Sequence, residues 1–442
     1  MKKKKKRQAV TERKIRIQLA LDFADLSRAL AVARAAVPEG IDIVEAGTPL
    51  IKSEGLNAVR ELRRLFPDRP ILADLKTADA GRIEMECAAK AGATMAICLG
   101  AVSESTVQES IEAGRNYGIE VGVDMLGVAD YVALAKKCEA WGAAFLNVHL
   151  PIDDQMRGLQ SFDRLRQIAE AVSIPVAAAG GLNSENVVDA IAAGAAIVII
   201  GGAITKAADV AQATRDIRRA VDTRAKVATE LFRRAGETDI REVLGRVSAA
   251  NLSDGAHRLP SLDGLRPLWP GIRFCGPALT VRTVPGDWSK PVLAIDQAEP
   301  GDVLVIDAGG RPPAVWGELA TQSAIVNKLS GAVIDGAVRD TMDIRRLEFP
   351  IFSRCVSANA GEPKGLGEIG QPIFLSGQRI MTGDWILADD DGVVVLPKAR
   401  AVEMANRAQD VLEKENRLRD EITSGRSSLG KVAELLRWEK KS

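Results

Sequence analysis

Residues 71–81 read ILADLKTADAG. The stretch begins like a buried strand and then places Asp74, Lys76 and Asp79 within six residues. Ionisable groups at the end of an apolar strand are typical of a parallel strand whose carboxyl end faces an active site. The stretch therefore predicts one strand of an α/β fold with chemistry at its carboxyl end.

Seven further stretches have this strand character, and amphipathic stretches at helical spacing lie between them. The eight strand candidates are, in chain order, IRIQLALD, IDIVEAG, PILADLK, TMAICLG, EVGVDML, AFLNVHL, PVAAAGG and AIVIIGGAI. Eight strand-helix units in about 200 residues match a (β/α)8 TIM barrel. The sequence therefore predicts such a barrel over residues 14–222.

Polar side chains and glycines collect at the ends of these strands. They are Asp22, Glu45, Asp74, Lys76, Asp124, His149, the pair Gly180 and Gly181, and the pair Gly201 and Gly202. Asp and Gly often end strands, so turn formation explains any one of them. A Lys, a Glu and one of only two histidines on the same rim are better explained by an active site there.

The composition limits the class of protein. The chain has 59 Lys and Arg and 59 Asp and Glu, and a block of the basic residues stands near the N-terminus. We interpret residues 1–13 as a disordered basic tail, and the remaining, mildly acidic body argues against general nucleic-acid binding.

The five cysteines form no CxxC pair, which favours reduced thiols in a cytoplasmic protein. The most apolar region, 187–204, is broken by Asp189 and glycines, so no membrane span is expected.

The pattern changes after residue 222. Residues 223–236 form a charged, helix-like run that predicts a linking helix. Beyond it, the strand candidates are less regularly interleaved with helices: FCGPALTVRTVP, GDVLVIDAGG, GAVIDGAVRD, PIFSRCVSA and GDWILADDDGVVVLP. We therefore expect a mixed α/β, sandwich-like domain over residues 237–442, with a helical tail interrupted at Ser424 and Gly425.

The barrel rim predicts a metal-assisted site. Glu45 and Asp74, on neighbouring strand ends, offer the hard oxygen ligands that Mg²⁺ prefers. Lys76 lies two residues beyond Asp74, so we expect it on the same face of the strand, kept charged by carboxylates. Such a group can stabilise an enediolate, because a cation spreads the oxyanion charge while a nearby acid or base moves the carbon-bound proton.

The glycine pairs predict the anionic part of the ligand. Loops after strands seven and eight, at Gly180 and Gly181 and at Gly201 and Gly202, expose backbone N–H groups. These loops form the usual phosphate site of this fold. A sugar phosphate or a similar anion is therefore the favoured ligand.

Residues 14–222 resemble 3-hexulose-6-phosphate synthase, a member of the orotidine-monophosphate-decarboxylase-like group of barrels. The resemblance rests on the stretches QLALD, DIVEAGTPLIK, ILADLKTADAG, VHLPIDDQ, AAAGGLNSENV and IIGGAIT. The DxKxxD motif marks the wider group. Glu45 favours its metal-dependent branch, because orotidine decarboxylases usually carry Lys in that strand.

The resemblance implies an activity and residue roles. Mg²⁺, or another divalent cation, would bind Glu45 and Asp74, while Lys76 and Asp22 would contact the sugar hydroxyls and the enediolate. The implied reaction is aldol addition of formaldehyde to the enediolate of D-ribulose 5-phosphate, giving D-arabino-3-hexulose 6-phosphate, or the reverse cleavage. Asp79 would cross into the partner subunit of a dimer.

His149 is implied as a proton-transfer candidate, although a histidine at a strand end is often only a hydrogen-bonding core residue. The alternative family is 3-keto-L-gulonate-6-phosphate decarboxylase, which resembles the synthase through the same metal and lysine set. That family generally has an Arg three residues after the histidine of strand six. Here Leu150, Pro151 and Ile152 follow His149, so an apolar residue at the arginine position favours the synthase.

The C-terminal half holds a second candidate site. Gly317 and Leu319 precede a helix-like run, and Arg339 and Asp340 end a strand candidate. Backbone N–H groups at a helix start and a guanidinium can hold a carboxylate together, and Asp340 offers a ligand to a divalent cation. An Arg-Asp surface pair beside a helix cap explains the same residues equally well.

Residues 237–400 resemble the family of 4-hydroxy-4-methyl-2-oxoglutarate aldolase and the regulator of ribonuclease activity A. The matching stretches are LSDG, FCGPALTV, GELA, GAVIDGAVRDTMDI, FPIF and GDWILADDDGVVVLP. In the aldolases the Arg-Asp pair positions a pyruvate-like enolate and a divalent ion, and the regulators generally lack the Asp. The presence of Asp340 therefore keeps a class II aldolase or oxaloacetate-decarboxylase-like site open.

Two alternatives stand for this second half. It is a second carbonyl-lyase domain, or a regulatory or oligomerising module that binds a ribonuclease. Relatives of the barrel tend to form dimers and relatives of the second domain tend to form trimers, so the resemblance implies a homo-oligomer.

Overall fold

The structure is a computed structural model that describes residues 14–151, 155–158, 162–229, 234–236, 238–425 and 427–432. The chain divides into two compact units. Of the described residues, the first unit contains the chain up to 155, the part from 162 to 234 and the part from 413 onward. The second contains 156–158 and 235–412. The tail predicted at residues 1–13 lies outside the described residues.

The first unit is a closed barrel of eight parallel strands, in which each strand pairs with the next and the eighth pairs with the first. The strands are β1 Arg16–Leu21, β2 Ile43–Ala46, β3 Ile71–Thr77, β4 Met95–Leu99, β5 Glu120–Asp124, β6 Phe145–His149, β7 Val176–Ala179 and β8 Ile197–Ile200. Alternate side chains point inward and form a buried cluster that includes Leu72, Phe145 and Ile197. The predicted (β/α)8 barrel is confirmed.

Helices separate these strands, and their apolar faces pack on the outside of the barrel. They are α1 Leu26–Ala36, α2 Thr48–Glu54, α3 Asn57–Leu65, α4 Gly81–Lys90, α5 Glu104–Tyr117, α6 Tyr131–Trp141, α7 Phe162–Ala171, α8 Val187–Ala192, α9 Gly202–Thr205 and α10 Val210–Thr223, with a 3-10 turn at Val37–Glu39. Several begin at a capping side chain; Asp25, for example, accepts a hydrogen bond from the N–H of Arg28.

The linking helix predicted over residues 223–236 does not form in its described part. Helix α10 ends at Thr223, and Arg224 has a left-handed backbone with φ 56°. The chain then lies against the loop after β7, where the N–H of Val227 donates to the carbonyl of Ser184 at 3.1 Å and the Ser184 hydroxyl donates to the carbonyl of Val227 at 2.8 Å. These bonds satisfy the backbone groups that a continuing helix would have paired internally.

The second unit is built on a mixed sheet of nine strands, with parallel strands in its middle and antiparallel strands at its edges. The strands of this unit are β9 Arg266–Pro267, β10 Phe274–Arg282, β11 Val303–Asp307, β12 Ala314–Trp316, β13 Gly331–Val338, β14 Ile351–Val356, β15 Glu368–Ile369, β16 Ile373–Leu375, β17 Gln378–Ile380, β18 Trp385–Asp389 and β19 Gly392–Leu396. The hairpin β16–β17 forms a separate sheet whose buried residues share a core with β10, β11 and β13. The predicted mixed, sandwich-like domain is confirmed.

The helices of this half are α11 Ile240–Arg246, α12 Ala249–Gly255, α13 Ser289–Gln297, α14 Glu318–Val326, α15 Thr341–Arg346, α16 Ala401–Thr423 and α17 Leu429–Val432, with a 3-10 turn at Lys398–Arg400. Helix α16 ends at the predicted interruption. The end of the helical tail, which was predicted as part of the domain over residues 237–442, groups with the barrel from residue 413 onward. In the part of the chain that the structure describes, no helix is long and apolar enough to cross a membrane.

Candidate functional site

The carboxyl ends of the barrel strands bring the predicted ionisable groups together. Asp22 follows β1, Glu45 lies in β2, and Asp74 and Lys76 lie in β3. Asp124 and His149 are the last residues of β5 and β6. Asp22, Glu45, Asp74 and Lys76 influence one another electrostatically, so they share one end of the barrel interior.

Lys76 bridges two carboxylates. Its Nζ lies 3.0 Å from Asp74 Oδ2 and 3.2 Å from Asp124 Oδ2. Burial alone lowers the pKa of Lys76, but the carboxylates of Asp74 and Asp124 outweigh it and raise this pKa above its ordinary value. Lys76 is therefore a permanent ammonium rather than a proton acceptor.

The backbone of Lys76 departs from a regular strand. Its φ is 46°, and the pairing of β3 with β4 shifts register between Ala73 and Thr77. Between Ala73 and Thr77, β3 contains two more residues than the paired part of β4, so the regular alternation of faces is interrupted there. Lys76 therefore contacts Asp74 as predicted, but through an irregular backbone and not through simple alternation along the strand.

Glu45 is buried among other carboxylates, which disfavours its charged form. Burial raises its pKa well above the ordinary value, and Asp74 and Asp22 add to the effect, while the Gln18 amide, which donates to Glu45 Oε2 at 2.5 Å, opposes it. Burial and the charge of Asp74 likewise raise the pKa of Asp22. The positive charge of Lys76 therefore does not offset the burial of Glu45 and Asp22 and their repulsion by Asp74.

This charge balance fits a divalent cation at the predicted ligands Glu45 and Asp74. Among the described residues, no group of three or more His, Cys, Asp or Glu side chains is arranged to hold a metal ion. Mg²⁺, however, is commonly held by one or two carboxylates together with waters and substrate oxygens. Two crowded carboxylates beside the unpaired Oε1 of Gln18 match that mode of binding.

Asp124 connects the lysine to the predicted proton-transfer residue. Its Oδ2 lies 3.6 Å from Nδ1 of His149 and accepts a hydrogen bond from the Asn147 amide at 3.1 Å. Burial raises the pKa of Asp124, but the neighbouring His149 and Lys76 outweigh it and lower the pKa below its usual range. Asp124 is thus an anion that orients His149 and Lys76 together.

The first glycine pair has a backbone and close neighbours that disfavour side chains. Gly180 and Gly181 have φ of 106° and 68°, and a Cβ on Gly180 would lie 2.6 Å from the carbonyl oxygen of Leu150. Gly201 and Gly202 follow β8, and Gly202 begins helix α9. The two pairs thus follow β7 and β8, where the phosphate site is predicted.

Asp79 lies apart from the other predicted catalytic residues. It follows β3 as an exposed residue, and its Oδ1 accepts a hydrogen bond from the N–H of Ala80 at 2.7 Å. Its predicted role in a partner subunit stays a prediction.

Sequence reasoning missed the residues that hold these groups in place. Thr48 donates from its hydroxyl to Asp74 Oδ2 at 2.8 Å, and Gln18 and Asn147 contact Glu45 and Asp124. Gln18 and Asn147 are polar residues inside strands whose neighbours are apolar, and that isolated polarity was the available signal.

The second candidate site lies in the second unit, where α14 and α15 begin. Asp340, with φ 57°, accepts a hydrogen bond at Oδ2 from the N–H of Glu318 at 3.1 Å, and the same oxygen lies 3.5 Å from Arg339 Nε. A Cβ on Gly317 would lie 2.5 Å from that oxygen, so glycine allows the approach. Leu319 is 79% exposed. The structure therefore brings the four predicted residues to one partly exposed surface.

Comparisons with known proteins divide the chain in the same way. Residues 15–217 match the family "Orotidine 5'-phosphate decarboxylase / HUMPS family", and residues 249–395 match "RraA-like: Aldolase/RraA". The chain is 35% identical over 207 residues to 3-hexulose-6-phosphate synthase of Mycobacterium gastri, covering 47% of this chain and 100% of that protein. It is 36% identical over 206 residues to the protein of the same name from Bacillus subtilis (strain 168), covering 46% and 98%.

A solved structure of 3-hexulose-6-phosphate synthase from Salmonella typhimurium is 35% identical and covers 48% of this chain and 100% of its own, with a TM-score of 0.46. The sequence relatives cover the barrel, and the second family model covers most of the second unit. By its N-terminal half the chain belongs to the orotidine 5'-phosphate decarboxylase and HUMPS family, to which an RraA-like domain is joined.

Proposed function

We propose that the barrel is a 3-hexulose-6-phosphate synthase, which adds formaldehyde to D-ribulose 5-phosphate, or cleaves the product. The observation that carries the proposal is Lys76, a permanent ammonium held at 3.0–3.2 Å by Asp74 and Asp124 beside the crowded carboxylates Glu45 and Asp22. The names of the relatives agree with this chemistry.

The mechanism requires formation of an enediolate from the ketose phosphate. A divalent cation at Glu45 and Asp74 would spread negative charge from the sugar oxygens. The Lys76 ammonium donates hydrogen bonds to the same developing charge, because its pKa keeps it protonated. Asp22, beside Gly47 and Gly201, is placed to accept a hydrogen bond from a sugar hydroxyl.

His149 is the group we assign to proton transfer. Its Nδ1 faces Asp124 at 3.6 Å, which favours the neutral tautomer that carries its proton on Nδ1. The other nitrogen, Nε2, is then available to take the carbon-bound proton or to return one to the new hydroxyl. The phosphate would bind backbone N–H groups at the two glycine pairs.

The test is incubation with D-ribulose 5-phosphate, formaldehyde and Mg²⁺, with formaldehyde consumption as the readout. We expect turnover in the wild type and a loss of at least about a hundredfold in Lys76→Ala, because a charge-stabilising donor is removed. Lys90→Ala, which changes an exposed lysine of α4, is the matched control and keeps its activity. Equal activity of the two variants would reject the site.

The alternative activity is decarboxylation of 3-keto-L-gulonate 6-phosphate. The apolar Ile152 that argues against it lies outside the described residues. Release of CO2 from this substrate, without formaldehyde consumption, would favour the decarboxylase.

For the second unit we propose a divalent-cation-dependent carbonyl lyase that acts on a pyruvate-like acid. Arg339, together with backbone N–H groups near Gly317, would hold the carboxylate, while Asp340 would be the protein ligand of the cation. Asp340→Ala should abolish metal-dependent oxaloacetate decarboxylation. A wild type inactive with every divalent ion would favour the regulatory module that binds a ribonuclease.

We also propose that the chain forms a homo-oligomer. The second unit exposes several large apolar side chains, among them Leu319, Val326 and Met342. Exposed apolar groups gathered on neighbouring elements are typical of association surfaces. Sedimentation velocity of the full chain tests this proposal, and a monomer at micromolar concentration would reject it.

A further inference from the structure

The end of helix α16 belongs to the barrel unit but lies outside the residues that either family model matches. Its residues from 413 onward group with the first unit, whereas the two family matches end at residues 217 and 395. Arg417 and Glu421 lie one helical turn apart in this segment, on the same face of the helix. Both contact parts of the barrel that follow its strands.

Arg417 joins two loops at the carboxyl ends of the strands. Its Nη1 donates a hydrogen bond to the carbonyl oxygen of Thr205 at 3.0 Å. Its guanidinium carbon lies 5.6 Å from the centroid of the Phe23 ring, within the range of a cation–π contact. Phe23 directly follows Asp22, and Thr205 is the last residue of α9, which begins at Gly202. One side chain therefore ties the segment after β1 to the segment after β8.

Glu421 reinforces this arrangement. It accepts a hydrogen bond from Arg28 of α1 at 2.9 Å and lies 3.6 Å from Nε of Arg417. The Arg417 side chain is only 16% exposed. Burying so much of a charged side chain costs free energy. An arginine is therefore expected at such a position only where its planar guanidinium makes contacts of fixed geometry, as this one does with the barrel.

The two segments that Arg417 joins also approach each other at the candidate site. A Cβ on Gly201 would lie 3.8 Å from Asp22 Oδ2. The separation of the two segments therefore sets the distance between the carboxylate that we assign to the sugar hydroxyls and the glycine pair that we assign to the phosphate. A shift of about 1 Å in such a spacing is enough to weaken binding strongly.

We infer that Arg417 is a positioning residue for the binding of phosphorylated sugars by the barrel. It fixes the loops after β1 and β8 relative to each other, so that Asp22 and the backbone at Gly201 and Gly202 meet one ligand at once. This inference rests on the proposed function of the site and adds a residue of the C-terminal helix to it. A barrel cut from this chain at the end of its family region would lack that residue.

The test compares Arg417→Gln with Arg419→Gln in the full chain. Arg419 is a matched control, because it lies on the same helix, is 59% exposed and contacts only its own helix in the described residues. Arg417→Gln should raise the KM for D-ribulose 5-phosphate and the Kd for inorganic phosphate about tenfold, the effect of losing one charged hydrogen bond. The KM for formaldehyde and kcat should stay within about twofold of the wild type, since no reacting group is moved out of reach.

Two further variants separate positioning from general stability. Arg417→Lys keeps the cation and should lie between the wild type and Arg417→Gln in phosphate affinity. Phe23→Leu removes the ring under the guanidinium and should raise the same KM, and it replaces Arg417→Gln as the test if that variant does not fold. If the Arg417 and Phe23 variants match Arg419→Gln in both constants, the inference is wrong.

The phosphate titration also separates this inference from the proposed reaction. A wild type that binds phosphate but does not consume formaldehyde would reject the reaction, and the Kd ratio of Arg417→Gln to wild type would still decide the role of Arg417. A wild type that does not bind phosphate at 10 times the substrate KM, or at about 10 mM if there is no turnover, would overturn the inference.

Discussion

Glu45 carries an electrostatic penalty that a bound cation would relieve. Its carboxyl is buried beside Asp74 and Asp22, and both neighbours raise its pKa further. We expect Glu45→Gln to raise the metal-free melting temperature of the barrel by a few degrees, because about 1 kcal/mol of repulsion corresponds to roughly 2–4 °C for a domain of this size. Scanning calorimetry measures the shift, and Glu61→Gln, a change of a surface carboxylate, is the control.

Magnesium should make the wild type melt at a higher temperature than Glu45→Gln, the reverse of the order expected without metal. Binding to the folded state alone stabilises it by an amount that grows with the ligand concentration relative to Kd. Millimolar Mg²⁺ should therefore raise the melting temperature of the wild type and leave Glu45→Gln unchanged. An equal rise in both proteins would show that Glu45 is not a ligand.

Cys138 is a second residue whose surroundings determine its chemistry. Burial, with smaller effects of Cys98 and Glu104, raises the pKa of this thiol to about 12, whereas Cys87 is exposed. Iodoacetamide at pH 8 should modify Cys87 in the folded protein and leave Cys138 intact, because only about one thiol in ten thousand is ionised at such a pKa. Peptide mass spectrometry identifies the modified residue, and full labelling after denaturation is the control.

The same pKa makes stability depend on pH. The folded state keeps the Cys138 proton to higher pH than the unfolded state, whose pKa is 9.0. The thiol therefore contributes stability that is fully present below pH 9 and is lost as the pH rises through about 12. Cys138→Ala should show a weaker decline of stability between these values, and an unchanged pH profile would contradict the burial effect.

At the scale of the elements, the barrel interior depends on a large residue facing a small one. A Cβ on Gly122 of β5 would overlap the ring of Phe145 on the neighbouring strand β6. Gly122→Ala should destabilise the barrel by about 1–3 kcal/mol through overpacking, and Phe145→Ala by about 3–5 kcal/mol through a cavity. The double variant Gly122→Ala with Phe145→Leu should lose less stability than Gly122→Ala and Phe145→Leu lose separately, because the new methyl group fills the space that the smaller leucine leaves.

Denaturant unfolding followed by circular dichroism measures these free energies. Gly245→Ala is the control, since a Cβ there would meet no atom within 4 Å and the residue lies in helix α11. Additive losses in the double variant would show that the two side chains do not share one space.

The barrel strands were predictable because the pattern that indicates each strand lies within a few consecutive residues. Each strand is a short apolar run, and each run ends in polar residues or glycine. The register shift at Lys76 was not predictable, because alternation along a strand carries no sign of extra residues within it. The end of α10 at Thr223 was also missed, since the following charged residues suit a helix and only the contacts with Ser184 favour another path.

At the scale of the whole molecule, the chain forms two compact units, and the end of the C-terminal helix groups with the barrel, which its sequence pattern does not indicate. A charged, amphipathic helix shows which of its faces is buried without showing what covers that face. Contacts such as that of Arg417 with Phe23 join residues almost 400 positions apart, a separation that no local pattern reports.

The two candidate sites draw on separate units, and this organisation predicts independent activities. Every residue assigned to sugar-phosphate chemistry lies in the first unit, while Gly317, Arg339 and Asp340 lie in the second. Lys76→Ala should remove formaldehyde consumption and leave oxaloacetate decarboxylation within about twofold, and Asp340→Ala should do the reverse, because sites that share no residues act additively. Assays of both variants for both reactions, at one protein concentration and one Mg²⁺ concentration, measure the four values. Loss of both activities in either variant, with its circular dichroism spectrum unchanged, would mean that the sites are coupled.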